Sequence, residues 1–523
     1  MSALQEVFSL LRLRALQLLA LSSLLILVAA IAFEARVTVR DPDIWWHLKV
    51  GDWIVQHHAV PYVGVFSRTA GTRPWIAYSW GYEVLLSRAY AWFGLIGFSL
   101  FGILLTMVVA FVLFWMLYRL CGRFWVAWIL ALIGSFAYLF SLLPRPVYVT
   151  MILFTVALTF LLDAQRTGRM QLLWWLPLLF VLWANMHIQF IYGLAVVGLF
   201  MGINLLQRLA SKVGIELDFI RAPTLPLSGL IGVLSTCFAA TFIGPYTYHL
   251  YHVVGAYSNS HVPYYMIQEL AAFHFKTFTH YVLLLLTAGA FFAVGWPRKL
   301  DLFKLSLLIV ASVVAFRTQR DAWFVSICAA AFIADLCAGA GAGERPPAPV
   351  LNLPELAGVG AFLAIMLWLT ARNIGFTTRE LDRDISRGYP VNALNFVRQN
   401  SFPGPIYNHL DWGGFLIWYL PQYRVAIDGR NDLYGDELDR VMYDSSRGES
   451  YTSDPYLNEA GLVVLPAKLP LASLLTIDSR FRLVYQDQVA FVFARNYDSE
   501  EERTGTPLHA PASDGALTAA PEP

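Results

Sequence analysis

Asp41-Pro42-Asp43-Ile44-Trp45-Trp46-His47-Leu48 follows the first apolar run of the chain, and its reading decides what kind of protein this is. Carboxylates and a tryptophan pair beside a hydrophobic layer are costly unless the charges have a partner or a use. The proline biases Asp41 toward an extended conformation and can hold both acids at a loop-to-helix junction. Two acids so placed can share a divalent cation, Mg²⁺ or Mn²⁺, or one can serve as a base that the other orients. Asp43 also suits a plain helix cap with Asp41 solvated. Asp41 is therefore the better choice of base.

The whole chain supports a membrane setting for this stretch. Of 523 residues, 57% are hydrophobic and only 14% charged, and the mean hydropathy of +0.55 is too high for a soluble globular protein. With 37 basic against 36 acidic side chains, the net charge of +1 excludes a whole-molecule field that would attract nucleic acid. Cys121, Cys237, Cys328 and Cys337 lie in or beside apolar runs without metal-ligand spacing and read as packing residues. The polar C-terminal portion has no cysteine, so no disulfide framework is expected there. The run at 15–33 is long for a signal core and lacks a clear cleavage site, so it reads as a retained helix.

A hydrocarbon core of about 30 Å needs roughly 20 apolar residues in a helix. That rule gives roughly eleven spans, near 15–33, 91–117, 124–142, 147–163, 171–186, 188–207, 225–244, 281–296, 302–316, 322–337 and 355–371. Basic residues in short loops remain cytoplasmic. Arg12 and Arg14 place the N-terminus inside, and Arg119, Arg123, Arg166, Arg169, Arg208, Lys212, Arg221, Arg298, Lys299, Lys304 and Arg345 then fall on the same side. The expected setting is a bacterial-type inner (plasma) membrane, with the 34–90 loop and everything after 371 outside.

Within the 34–90 loop, Trp46, Val50, Trp53, Ile54 and the ring of His57 recur at helical spacing after Asp43, which predicts an amphipathic helix in the membrane interface ending at Pro61. Trp75 to Trp80 predicts a second interfacial segment leading to Glu83. The region 372–498 alternates strand and helix signals and predicts a small α/β domain. Strands are expected at 405–408, 424–428 and 461–465, helices at 411–420, 434–444 and 469–475, and a closing hairpin at 481–485 and 489–493. The acidic, Pro/Ala-rich tail at 499–523 is expected to be disordered.

Several polar groups fall at span ends. Glu83 reads as a further catalytic acid or as an interfacial glutamate that reaches water. Arg145, Arg317 and Arg320 offer guanidinium forks suited to phosphate oxygens, or they snorkel to headgroups. Asn185, His187 and Gln189 suit sugar hydroxyls or a tight helical hairpin. His249, His252, His261, His274 and His280 share one outer loop with Tyr246, Tyr248, Tyr251, Tyr257, Tyr264 and Tyr265, which can stack on a carbohydrate or anchor at the interface. Asp411-Trp412-Gly413-Gly414 and Asp428-Gly429-Arg430-Asn431-Asp432 fall where α/β domains place ligands, and their composition also suits turns. No Walker loop and no GxGxxG fingerprint is present.

A large loop opening with acids after the first span, further spans and a C-terminal outer domain together resemble the GT-C superfamily of integral-membrane glycosyltransferases, which includes protein mannosyltransferases and aminoarabinose transferases. The resemblance implies an α-helical polytopic membrane domain over 1–371. It maps a catalytic or metal-associated acid onto Asp41 and Asp43. It also implies a polyprenyl-phosphate-linked sugar donor, with Arg145, Arg317 and Arg320 near the phosphate, and His47, Asn185 and His187 join them as substrate-binding residues. The partners expected are membrane lipid, the lipid-phosphate sugar and an acceptor glycan, lipid or protein. The alternative is a non-enzymatic transporter or a component of polysaccharide or lipid export, which would place polar groups near the bilayer midplane. His47 close to Asp43 also leaves a membrane acyltransferase open.

Overall fold

Long apolar runs satisfy their backbone polar groups in a membrane as helices or closed barrels, and the computed structural model is mostly helical. It describes residues 2–34, 37–139, 145–214, 218–259, 262, 267–339, 353–374 and 377–496. Pro144, His261, Tyr264, Tyr265, Arg345 and the 499–523 tail lie outside the described residues. By packing, the chain divides into two units. The first comprises Met1–Ala35, Leu100–Thr247 and Ile267–Phe376, and the second Arg36–Ser99, Tyr248–Met266 and Thr377–Pro523.

In the first unit the apolar runs are helical over most of their described residues. Among the described residues five helices are long and apolar enough to cross a membrane on their own: Trp80–Cys121, Val147–Thr167, Phe190–Lys212, Phe278–Gly295 and Gln319–Ala338. The shorter apolar stretches are Leu16–Ala32, Phe124–Tyr138, Gln171–Met186, Leu227–Ala240 and Gly360–Thr370. The structure is thus a multi-pass helical membrane fold in which five spans meet the full length requirement. Several of the basic residues read as loop charges are paired: Arg119 with Asp163, Arg166 and Lys304 with Asp335, and Arg221 with Asp301 at 3.6 Å. Ionised groups at helix ends are stabilised by such partners, which join the ends of neighbouring helices.

The second unit holds the only sheet among the described residues, in the order β1-β2-β4-β3 with β1 (Ile406–Asn408), β2 (Leu462–Pro466), β3 (Phe481–Gln486) and β4 (Ala490–Arg495). The β1/β2 pair is parallel and the other two pairs are antiparallel. The helices Leu410–Tyr419, Asn431–Ser446 and Pro470–Leu475 lie within about three residues of the ranges expected. The exception is 424–428, which is buried from Val425 to Asp428 but is not a strand, Val425 alone forming a bridge, to Ser67. Its backbone bonds go elsewhere: Arg68 N–H donates to the Val425 carbonyl at 2.8 Å, Val425 N–H to Phe66 at 3.1 Å, and the Asn408 amide holds Ala426 and Ile427. The first loop and the C-terminal region therefore share one core.

That core overturns the interfacial reading of the first loop. The helix Ile44–His57 forms, but Trp45, Trp46, Val50 and Ile54 are buried in protein. Trp45 is enclosed by Trp418, Phe415, Phe98 and Tyr389 at ring separations of 4.7–5.7 Å. Each such pair adds about 1 kcal/mol beyond its buried area. Trp75 is likewise buried. Apolar periodicity specifies a buried face but not whether lipid or protein covers it. The helix also ends at His57, with His58 in the left-handed region (φ 51°), ahead of Pro61.

Candidate functional site

The Asp41-Pro42-Asp43 turn is built from its own polar groups. Asp43 N–H donates to Asp41 Oδ1 at 3.0 Å, an Asx-type closure that sets the entry to the helix. Asp43 stands at the N-cap position, yet its side chain makes no capping hydrogen bond. It instead faces Trp46, whose Nε1–H donates to Asp43 Oδ1 at 3.4 Å. The cap explanation therefore does not account for this residue. Asp41 is 1% exposed and Asp43 is half-buried, so Asp43 is the more accessible of the two.

Two glycine-containing motifs press against this turn. A Cβ at Gly429 would collide with Asp43 Oδ1 and lie 2.9 Å from its carboxyl carbon and 3.3 Å from Trp46 Nε1. A Cβ at Gly414 would meet the Pro42 carbonyl at 2.6 Å. Asp411-Trp412-Gly413-Gly414 and Asp428-Gly429-Arg430 thus allow backbone to approach the acid pair closely, a role distinct from both turn chemistry and direct ligand binding.

Behind Gly429 lies a buried ionic core. Arg430 forms a two-pronged bond to Asp428, Nε to Oδ1 at 2.8 Å and Nη2 to Oδ2 at 2.7 Å, and the Tyr434 hydroxyl donates to Asp428 Oδ2 at 2.6 Å. Burial opposes the arginine charge, but the Asp428 carboxylate outweighs it and holds the Arg430 pKa above the ordinary value. The guanidinium also lies 4.7 Å over the Trp75 ring, while Trp75 Nε1–H donates to Asp432 Oδ2 at 3.1 Å. Burial pushes the Asp432 carboxyl up to about 6, with Arg430 holding it back.

Glu83 is 1% exposed, so it does not reach water as an interfacial glutamate would. Its Oε1 is 3.0 Å from His47 Nδ1, and its Oε2 has no hydrogen-bond partner among the described residues. The ring of His47 also lies against Trp46, tilted by 31° with a centroid separation of 3.6 Å. His47 is thus joined to Glu83 and touches the tryptophan that binds Asp43. Among the described residues no group of three or more His, Cys, Asp or Glu side chains could hold a metal ion. The turn offers two carboxylates, which would suit a hydrated Mg²⁺ or Mn²⁺ whose remaining positions are filled by water and phosphate oxygens, and the metal would there polarise the phosphate.

The first unit gathers a second polar cluster. Arg145 Nη1 donates to Glu269 Oε1 at 2.8 Å, and Arg320 Nη1 lies 4.0 Å from the same oxygen. Asp321, next in sequence to Arg320, accepts from Thr318 at 2.8 Å and from Gln189 at 3.2 Å. His187 Nδ1 is 2.9 Å from Thr150 Oγ1, to which Trp183 Nε1–H donates at 2.8 Å. Arg317 is exposed at the end of its helix. Asn185 donates to the Val181 carbonyl in its own helix and to the Ile243 carbonyl in the loop after helix Leu227–Ala240, each at 2.7 Å.

Glu269 and Asp321 were not singled out from the sequence, and the Asp428-Gly429-Arg430 element was read as a ligand-binding or turn element without its internal ion pair. Glu269 sits in a loop without a recognisable motif. A short ion pair at i, i+2 looks like turn chemistry until its burial is known.

No protein-family model and no curated protein sequence matches this chain. Its trace is similar to the archaeal oligosaccharyltransferase AglB from Archaeoglobus fulgidus, solved with an inhibitory peptide and a dolichol-phosphate. That likeness covers 93% of this chain and 74% of AglB at 13% identity, with a TM-score of 0.47. It is also similar to ArnT from Cupriavidus metallidurans bound to undecaprenyl phosphate, over 90% of this chain and 97% of ArnT, at 14% identity and a TM-score of 0.44. Both are GT-C superfamily membrane glycosyltransferases. At these identities and scores the likeness assigns no residue role here, and the functional reading rests on this chain's own side chains.

Proposed function

We propose that this protein is a membrane glycosyltransferase that moves a sugar from a polyprenyl-phosphate donor to an acceptor on the extracytoplasmic face. The observation that carries the proposal is the Asp41–Asp43 turn, where buried Asp41 accepts the Asp43 backbone N–H and the half-buried Asp43 carboxylate, without a capping role, is hemmed in by Gly429 and Trp46. Structural acids on a helix entry have no need of such support, whereas catalytic groups require it. Accessibility favours Asp43 as the base and Asp41 as the residue that positions it.

In the proposed reaction Asp43 accepts the proton of an acceptor hydroxyl or amine as that group attacks the anomeric carbon. The bond from the anomeric carbon to the phosphate oxygen breaks, and polyprenyl phosphate departs with the electron pair. Separately from that turn, the guanidinium groups of Arg145 and Arg320 in the first unit are proposed to bind a lipid phosphate. Glu83, with His47, supports the Trp46 ring beside the base. A lipid-phosphate donor needs no nucleotide-binding fold.

Purified protein in lipid nanodiscs, supplied with polyprenyl-phosphate sugars, tests the reading through release of polyprenyl phosphate. Asp43→Asn should lower the rate by roughly 10²- to 10⁴-fold, the usual contribution of a general base. Asp41→Asn should follow it, with both variants retaining the wild-type melting temperature. Full activity in both would remove the proposal.

A further inference from the structure

A phosphate bound by Arg145 and Arg320 would meet a carboxylate already in place. Glu269 accepts from Arg145 at 2.8 Å and lies 4.0 Å from Arg320, and the three side chains are only 21%, 11% and 29% exposed, respectively. The segment carrying Glu269 is also anchored by backbone and amide bonds. Gln319 N–H donates to the Ala271 carbonyl at 3.0 Å, and Gln319 Nε2 to Ala272 at 3.2 Å. Its position therefore does not depend on the ion pairs alone. Burial by itself would raise the Glu269 pKa, but Arg145 and Arg320 outweigh it and hold the carboxyl below its usual range, so it is ionised at neutral pH.

An internal anion on the two arginines neutralises part of their charge and repels every further negative charge brought to them. That repulsion grows with each unit of ligand charge and is strong where water is largely excluded. We propose that Glu269 is a charge-selecting residue, which suits the Arg145–Arg320 pair to the single negative charge of a lipid phosphodiester and disfavours a multiply charged lipid diphosphate. The inference rests on the transferase reading above, specifically on these arginines binding phosphate. It narrows the donor to a lipid monophosphate sugar. The same repulsion weakens retention of the product, since polyprenyl phosphate gains a second ionisable oxygen when the sugar leaves.

Binding to the full-length protein in nanodiscs tests this without turnover, with farnesyl methyl phosphate as the singly charged probe and farnesyl diphosphate as the multiply charged one. Wild-type protein should prefer the phosphodiester. Glu269→Gln keeps an acceptor for Arg145 and should shift the ratio of the two Kd values toward the diphosphate by about tenfold or more, and Glu269→Ala should shift it the same way. An unchanged ratio in both variants overturns the role of Glu269. Arg145→Met and Arg320→Met separate the two levels of failure. If they weaken both probes while the Glu269 variants leave the ratio unmoved, only charge selection fails. If they weaken neither probe, the phosphate site and the inference resting on it both fail.

Discussion

Replacing Gly429 with alanine adds one methyl group and should disable the proposed base without touching a charged residue. The backbone at Gly429 is outside the left-handed region, so the effect is steric and owes nothing to φ. The new Cβ would overlap Asp43 Oδ1 and sit 2.9 Å from Asp43 Cγ and 3.3 Å from Trp46 Nε1. Carbon atoms in ordinary contact are about 3.5–4.0 Å apart. The carboxyl carbon must therefore retreat by at least about 0.6 Å, and the oxygen by more. A displacement near 1 Å at a reacting group costs on the order of 10²-fold in rate, while the overpacking itself should cost about 1–3 kcal/mol of stability. Initial rates of polyprenyl phosphate release should thus fall roughly 100-fold in Gly429→Ala. Because the methyl acts through Asp43, the Gly429→Ala/Asp43→Asn double variant should be no slower than Asp43→Asn alone. A wild-type rate in Gly429→Ala, or losses that multiply in the double variant, would refute the claim that Gly429 serves to seat this carboxylate.

Two further outcomes concern stability. Asp439 is 1% exposed with neither carboxyl oxygen hydrogen-bonded among the described residues, and burial, followed by the charges of Asp436, Asp428 and Asp432, pushes its pKa up to about 8. The folded state then keeps a proton that the unfolded chain releases near pH 4, so stability should fall as pH rises from about 4 to about 8 and level off outside that window. At about 1.4 kcal/mol per pH unit the cost approaches roughly 5 kcal/mol. Asp439→Asn should flatten that slope in thermal melts, and an unchanged pH profile would show that the carboxyl is not protonated in the fold. Arg430→Met should cost about 3–5 kcal/mol by leaving Asp428 buried without its partner. Asp428→Asn added to that variant should recover much of the loss in chemical denaturation, and no recovery would mean that Arg430 acts mainly through its packing on Trp75.

Helical structure was legible wherever apolar residues ran long enough, and the helices and hairpin of the C-terminal region were legible from their periodicity and turn residues. Segment 424–428 shows the limit of that reading. Its apolar content says that it is buried, but whether it becomes a strand depends on which backbone groups lie beside it, and here these are Phe66 and Arg68, more than 350 residues earlier in the chain. The helix Ile44–His57 shows the same limit from another side. Its apolar face was evident, while the identity of the cover, Trp418, Phe415 and Tyr389 in place of lipid, was not.

The acid pair marks the division most sharply. Sequence alone identified Asp41 and Asp43, their proline spacer and their place after an apolar run, because these depend only on local chemistry and composition. It left Asp43 as a helix cap or a functional group. Tertiary structure shows that Asp43 makes no capping bond, adds the Trp46 donor and the contact with Gly429, and in the first unit brings Glu269 onto Arg145 and Arg320. Gly429 lies more than three hundred residues from Asp43 and Glu269 more than a hundred from Arg145, and only folding, which turns chain distance into contact distance, determines which of them meet.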